Sequence, residues 1–333
     1  MKISCSSCPN SVTINDRYMY DLEFQGNKLK CKSCQSPLNL KGIPKLFQGD
    51  EATLPHGKAL NAEVVKNLKK LYPMPHVTYK ARKLINSVNA GFQEIGNILK
   101  TDPALAARIM KVANSAYYGM SGQISSIHHA STLLGAQTLI QIITLVSQSK
   151  ALGKSLKGYE LQSGDMWKHS LQAAVCANIL SVKRSPEDEE DSFFAGLMHD
   201  SGKIILDGYV IEREQIFKRY MITSQSGFLK AEQRIFGFDH AHTGYELCLK
   251  WNLPEKLAHA IKYHHNPFAS DGNKLAYILF VADYMARAEP GEDGKDMRHI
   301  HSALEFLGFG KEDMGDLHEE AYNAVEALEE DTY

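Results

Sequence analysis

The chain has 333 residues, 44% of them apolar, which is enough for about two domains and at least one substantial core. Its 37 basic and 39 acidic residues give a net charge of −2, so composition excludes a strong overall field for nucleic acid or an anionic membrane. The longest apolar stretch, residues 139–146, is far shorter than the roughly 20 residues of a membrane span, and the first residues lack a signal-peptide pattern. We therefore expect a cytoplasmic protein without a membrane partner.

Residues 1–40 differ from the rest of the chain because four cysteines form two identical Cys-x-x-Cys pairs. Alternating residues at 18–24 and a Gly26-Asn27 turn predict a short β-hairpin between the pairs. A segment this small cannot close a hydrophobic core unaided, whereas four thiolates on two turns suit a tetrahedral zinc ion. We predict a structural zinc ribbon whose ligands are Cys5, Cys8, Cys31 and Cys34.

Three lysines flank the second cysteine pair, at Lys28, Lys30 and Lys32. They either offset the negative charge of a zinc ion bound by four thiolates, or contact a nucleic acid or an acidic protein. The pattern favours the first interpretation, because no clearly exposed aromatic residues alternate with the lysines. Residues 41–55 contain two prolines and little periodicity, which is typical of a linker.

Helical periodicity dominates the remainder of the chain, and strand-like alternation is almost absent. The sequence therefore predicts an all-α region. Two helices are expected in the last fifty residues, and the others are predicted at 62–71, 92–99, 103–113, 130–145, 167–182, 186–198, 229–236, 254–263 and 275–288.

Histidine and aspartate side chains interrupt several of these otherwise apolar segments, at His169, His199, Asp200, His240, His264, His265 and Asp283. Burying five imidazoles and two carboxylates is unfavourable unless they are paired with one another or bind metal. Mixed imidazole and carboxylate ligands suit iron, manganese, nickel or zinc, and seven candidates exceed the needs of one ion. We predict one or two divalent cations here; the alternative is a hydrogen-bonded core.

The order and the flanks of these residues resemble the HD superfamily of metal-dependent phosphohydrolases, and most closely its HDOD branch. The resemblance covers roughly residues 55–290 and includes "DPALAARIMKVANSAYYG", "AGLMHDSGK" and "WNLPEKLAHAIKYHH". It implies an N-terminal helical subdomain at 56–155 and an HD-like helical subdomain at 156–333, preceded by the ribbon at 1–40 and the linker at 41–55.

The resemblance also assigns roles to residues of this chain. His169, His199, Asp200 and Asp283 match the core metal ligands of the superfamily. The further metal positions of the HD-GYP phosphodiesterases are matched by His240, His264 and His265, and Lys203 matches a lysine that faces the phosphate. The chain departs from these relatives at Ser201, where isoleucine is usual, and in lacking the GYP motif after the double histidine.

Two functions follow from this resemblance. The first is a bacterial signal-transduction protein that keeps the HD-type metal site and acts through a regulatory protein partner. The alternative is a metal-dependent phosphohydrolase or phosphodiesterase, in which Lys203 is catalytic and the substrate is a nucleotide or another phosphodiester. Access to the metal site beside Ser201 and Tyr284 discriminates between them, because a closed site excludes a nucleotide.

Overall fold

The computed structural model describes residues 2–4, 8, 11–13, 31, 33–34, 36, 54–71, 78, 102–119, 123–287 and 297–332. Two strands lie near the N-terminus, β1 (Lys2–Ser4) and β2 (Ser11–Thr13). They pair antiparallel, with Lys2 opposite Thr13. The hairpin predicted over residues 18–31 lies almost entirely outside the described residues, as do the three lysines beside the second cysteine pair.

The described helices make the fold all-α, as predicted from periodicity. Helices α1 to α7 span Gly57–Leu71, Pro103–Ala113, Ile127–Leu152, Asp165–Arg184, Glu189–Met198, Gly202–Ile211 and Glu214–Ser224. Helices α8 to α13 span Phe228–Ile235, His240–Lys250, Glu255–Tyr263, Lys274–Met285, Met297–Leu307 and Asp313–Thr332. The helix predicted at 92–99 lies outside the described residues.

Helices α6, α7 and α9 were missed by the sequence analysis. Gly202, which follows the His-Asp pair after α5, is the first residue of α6, and its φ is not positive. A Cβ atom at Gly202 would lie 2.0 Å from the carbonyl oxygen of His240. Glycine is therefore needed there because the start of α9 approaches the backbone closely, and not because of a turn.

The centre of the bundle is α11, in which every residue from Leu275 to Met285 is buried. A helix that is apolar on all sides belongs in the middle of a bundle, and α11 packs against α4, α5, α10 and α12. Helices α4 and α5 also lie close together, since a Cβ atom at Gly196 would be 2.6 Å from Cα of Ala174. Helices α4, α5, α10 and α11 thus lie side by side at the centre of the bundle.

Helix α3 is the one helix among the described residues that is long and apolar enough to cross a membrane. Half of its most apolar window is buried in the protein, where α3 packs against α2, α4 and α5. Its buried face also contains polar side chains, including Gln141, Thr144 and Gln148. The helix is interrupted at Gly135, whose φ of 81° is outside the helical region.

Candidate metal centre

The seven histidines and aspartates predicted as metal ligands come together at helix ends. His169 is the fifth residue of α4, and His199 and Asp200 directly follow α5. The remaining ligands lie at the start of α9, just after α10 and near the end of α11, at His240, His264, His265 and Asp283. The N-cap Asp239, whose side chain accepts from the backbone N–H of His242, fixes the start of α9.

The first group of donor atoms surrounds a point between α4, α5 and α11. Nε2 of His169 lies 3.2 Å from Nε2 of His199 and 3.3 Å from Oδ1 of Asp283. Oδ2 of Asp200 lies 3.7 Å from Nε2 of His169 and 3.6 Å from Nε2 of His199. Ligand atoms bound at about 2.1 Å to one cation are roughly 3.0–3.4 Å apart, so this group is close to a coordination shell.

The second group of donor atoms uses the other oxygen of Asp200. Oδ1 of Asp200 lies 3.1 Å from Nε2 of His240 and 3.9 Å from Nε2 of His264. His265 completes the group, with its Nε2 2.8 Å from Nε2 of His240. All four residues offer a ligand atom within 4.8 Å of the others. Asp200 is thus shared by the two groups, as a carboxylate that bridges two cations would be.

Hydrogen bonds that Nδ1–H donates to backbone carbonyl groups explain why the Nε2 atoms of His199 and His264 turn inward. Nδ1 of His199 lies 2.7 Å from the carbonyl oxygen of Gly196, and Nδ1 of His264 lies 2.6 Å from that of Ile261. A carbonyl oxygen only accepts, so Nδ1 carries the proton and Nε2 presents a lone pair. Nε2 of His264 is buried without a hydrogen-bond partner, which is the situation that a cation satisfies. The donor set therefore fits a divalent cation.

The charges of the cluster favour an ionised Asp200. Burial alone would raise the pKa of Asp200, but Lys203 and the neighbouring imidazoles outweigh it and hold that pKa well below its usual range. Nζ of Lys203 lies 2.5 Å from Oδ2 of Asp200, so the lysine predicted to face a phosphate contacts a candidate metal ligand. Burial lowers the pKa of both His199 and His264, which favours the neutral imidazole that binds metal.

Two further residues contact the candidate ligands and a third supports one of them; all three were missed by the sequence analysis. Arg287 donates to Oδ2 of Asp283 at 2.8 Å, and the spacing of four residues on a helix was a signal for this pair. Glu232 lies 2.7 Å from Nδ1 of His240 and accepts from the hydroxyl of Tyr159. Neither periodicity nor spacing in the sequence predicts the contact between Glu232 and Tyr159, since 73 residues separate them.

Four side chains of the cluster and its neighbours are partly exposed, and together they are called its partly exposed edge. The side chains of His169, Lys203, Arg287 and His265 are exposed by 24%, 21%, 20% and 16%. Five of the candidate ligands are exposed by no more than 3%, namely His199, Asp200, His240, His264 and Asp283. The neighbouring Ser201 and Tyr284 are also buried. The cluster is therefore buried except at this partly exposed edge.

A separate group of sulfur ligands lies near the N-terminal strands. Cys8, Cys31 and Cys34 each offer a sulfur atom within 4.8 Å of the others, and Sγ of Cys8 is 3.5 Å from Sγ of Cys31. Backbone N–H groups of Cys34 and Ser33 lower the pKa of the Cys31 thiol, which favours a thiolate. Cys5, the fourth predicted ligand, lies outside the described residues.

Other histidines have different surroundings. Within the part of the chain that the structure describes, neither histidine group includes His128, His129 or His242. His242 instead lies 3.9 Å from Glu246 on the same helix.

Comparisons with known proteins agree with the fold. A solved structure from Geobacter sulfurreducens, an HDOD domain protein with unknown function, has a TM-score of 0.66 and 23% identity, covering 81% of this chain and 97% of that one. A Shewanella amazonensis SB2B protein, whose name proposes a metal-dependent phosphohydrolase, has a TM-score of 0.59 and 17% identity over 81% and 97% of the two chains. A Marinobacter aquaeolei VT8 protein, whose name proposes signal transduction, has a TM-score of 0.62 and 20% identity over 89% and 68%.

Sequence comparison gives the same family. An uncharacterized protein from Treponema pallidum (strain Nichols) is 23% identical over 240 residues, which cover 70% of this chain but only 45% of that protein. The chain therefore spans about half the length of this relative. Residues 71–267 match the HDOD domain model, and this match covers more than half of the chain. The protein belongs to the HDOD family.

Proposed function

We propose that this HDOD protein is a bacterial signal-transduction protein that acts in the cytoplasm through contacts with a regulatory protein partner. In this proposal the His/Asp cluster holds one or two divalent cations, of iron, manganese, nickel or zinc, which keep the bundle in one arrangement. The cysteine group holds a zinc ion that folds the N-terminal segment.

The observation that carries this proposal is the burial of the cluster. Five candidate ligands are at most 3% exposed, and Ser201 and Tyr284 beside them are exposed by 2% and 7%. A nucleotide needs a cleft that encloses most of its surface. The partly exposed edge formed by His169, Lys203, His265 and Arg287 suits a cation and a small ligand better than a cyclic dinucleotide.

A second function, a metal-dependent phosphohydrolase that acts on a small phosphoryl group, is favoured by the two basic side chains on this edge. Lys203 pairs with Asp200 and Arg287 pairs with Asp283, so one positive group stands beside each carboxylate. When bound, a pair of divalent cations supplies Lewis-acid activation of a phosphodiester. Lys203 and Arg287 would then orient the phosphoryl oxygens and offset their charge.

Turnover by protein that is shown to carry metal separates the two functions. Wild type, His199→Ala and Asp200→Ala are loaded in turn with manganese, iron and nickel, checked by elemental analysis, and assayed with cyclic di-GMP and an aryl phosphodiester. His242→Ala is the matched control, because His242 lies on α9 outside the cluster. We expect no turnover of cyclic di-GMP above background with any of these metals.

Two results would change this conclusion. Rapid hydrolysis of cyclic di-GMP that is lost in His199→Ala but kept in His242→Ala would overturn the regulatory function. Slow cleavage of the aryl diester that disappears in His199→Ala and Asp200→Ala, and falls in Lys203→Gln, would favour the phosphohydrolase.

A further inference from the structure

Glu232 is a carboxylate buried deep in the bundle beside the second group of donor atoms. It lies on α8 and is 0% exposed. Its Oε2 accepts from the backbone N–H of His240 at 2.8 Å and lies 2.7 Å from Nδ1 of the same residue. Its Oε1 accepts from the hydroxyl of Tyr159 at 2.7 Å. A buried carboxylate is costly unless it is hydrogen-bonded, and here each oxygen has a donor.

The two contacts with His240 fix both the backbone and the ring of that residue. Because Oε2 accepts from Nδ1–H, the other ring nitrogen, Nε2, is directed at Oδ1 of Asp200 and Nε2 of His265. Rotation of the ring away from these atoms would break the contact with Glu232. The carboxylate therefore selects the ring orientation in which Nε2 points into the second group of donor atoms, where a cation can take the place of its proton.

Tyr159 holds the opposite end of the Glu232 carboxylate. It ends the short 3₁₀ turn Lys157–Tyr159 in the connection between α3 and α4. Burial, followed by the charge of Glu232, raises the pKa of Tyr159 well above its usual value, so the hydroxyl stays protonated and donates. A separate hydrogen bond also fixes the turn: the backbone N–H of Gly158 donates to Oδ1 of Asp207 on α6 at 2.7 Å.

We propose that Glu232, held in place by Tyr159, is a positioning residue that orients His240 for the second cation. The contact also couples this cation position to the α3–α4 connection, where the two predicted helical subdomains meet. The inference rests on the cation site of the proposed function.

Manganese is the probe of choice, because Mn²⁺ prefers carboxylate and imidazole ligands to the thiolates of the cysteine group. Bound Mn²⁺ is counted by electron paramagnetic resonance, and two ions bridged by Asp200 give the signal of a coupled pair. We expect two ions per wild-type chain. In Glu232→Leu, the second ion should bind roughly 10- to 100-fold more weakly and the coupled signal should disappear.

The conservative variants give a graded result that a loss of fold would not produce. Glu232→Gln keeps an acceptor for His240 and should restore part of the affinity, and Tyr159→Phe should cause a smaller loss than Glu232→Leu. Glu255→Gln is the matched control, because Glu255 and His259 form an exposed Glu–His pair away from the cluster. Tyr277→Phe controls for removing a tyrosine hydroxyl. Both controls should bind two ions as the wild type does.

The outcomes separate this inference from the proposed function. If Glu232→Leu and Glu232→Gln both bind two ions with wild-type affinity and keep the coupled signal, the positioning role is wrong. If the wild type binds a single ion, the inference fails while a one-cation site stands. If the wild type binds no Mn²⁺ in the cluster, the proposed cation site fails as well.

Discussion

Oδ1 of Asp200 lies 3.1 Å from Nε2 of His240, while Oδ2 of the same carboxylate faces the first group of donor atoms. One short carboxylate side chain thus serves two sets of imidazoles. His240, by contrast, contacts only the second set through Nε2 and uses Nδ1 for Glu232. The two residues should therefore differ in what their loss does to cation binding.

Replacing Asp200 by asparagine should weaken both cation positions by roughly 100-fold or more, because the amide keeps the size of the side chain but not the shared negative charge. His240→Ala should weaken only the second position and leave one ion bound. Counting Mn²⁺ per chain in both variants checks this. Equal losses in the two variants would contradict the bridging role of Asp200.

Most of the cluster was predictable from sequence because its residues interrupt apolar helices. His169, His199, Asp200 and Asp283 were each conspicuous against buried neighbours, and the structure brings them within ligand distance of one another. The division into two groups was not predictable. It depends on which oxygen of Asp200 faces which imidazole, and sequence spacing carries no information about the rotation of a carboxylate.

The parts of the fold that sequence missed are those set by close backbone contacts. Helix α6 begins only three residues after His199, and its first residue fits because glycine lets the carbonyl group of His240 approach. Glu232 and Tyr159 are hydrogen-bonded although 73 residues separate them in the sequence, so no local periodicity predicts their contact. Such long-range contacts become visible only once the helices are packed.

The cysteine group should fold independently of the helical bundle. Cys31→Ser removes a ligand from the sulfur group, so we expect the loss of one zinc ion per chain without a change in the unfolding of the bundle. Fluorescence reports the bundle selectively, because the two tryptophans of the chain, Trp167 and Trp251, both lie in the helical part. A shifted fluorescence transition in Cys31→Ser would contradict this division.

Cys176→Ser is the reciprocal control. Cys176 lies inside α4 at 3% exposure, where burial raises the pKa of its thiol to about 12. A hydroxyl at this apolar position should lower the free energy of unfolding of the bundle by about 1–3 kcal/mol. The zinc content should stay at the wild-type value.

Acid should destabilise the metal-free bundle through His264. Burial, followed by repulsion from His199 and His240, holds the pKa of His264 well below its usual value. The folded state keeps this imidazole neutral, while the unfolded chain takes up a proton below about pH 6.5. The free energy of unfolding should therefore fall as the pH drops from 6.5, by up to about 1.4 kcal/mol per pH unit for this proton.

His240 has the opposite pH dependence: it contributes to the free energy of unfolding at low pH and loses this contribution at higher pH. Burial opposes its protonation, but Glu232 and Asp200 raise its pKa to about 10, so its stabilising contribution is complete below pH 6.5 and is lost as the pH rises towards 10. Urea unfolding of chelator-treated protein, followed by tryptophan fluorescence, should show greatest stability near pH 6.5. His264→Gln should flatten only the acid side; an unchanged acid slope in this variant would contradict the assignment to His264.

A substitution at Gly202, the first residue of α6, tests how closely the helices that carry the candidate ligands must pack. Gly202→Ala places a Cβ atom at 2.0 Å from the carbonyl oxygen of His240, a contact that only a backbone shift relieves. We expect the free energy of unfolding to fall by about 3 kcal/mol or more, and the second Mn²⁺ to bind more weakly because the start of α9 is displaced.

Gly208 is the matched control on the same helix, since a Cβ atom there meets nothing within 4 Å and its φ is not positive. Gly208→Ala should stabilise the bundle by about 0.5–1 kcal/mol, because alanine loses less backbone entropy than glycine in a helix. Urea unfolding and Mn²⁺ counting check both variants, and wild-type stability in Gly202→Ala would show that α9 does not depend on this contact.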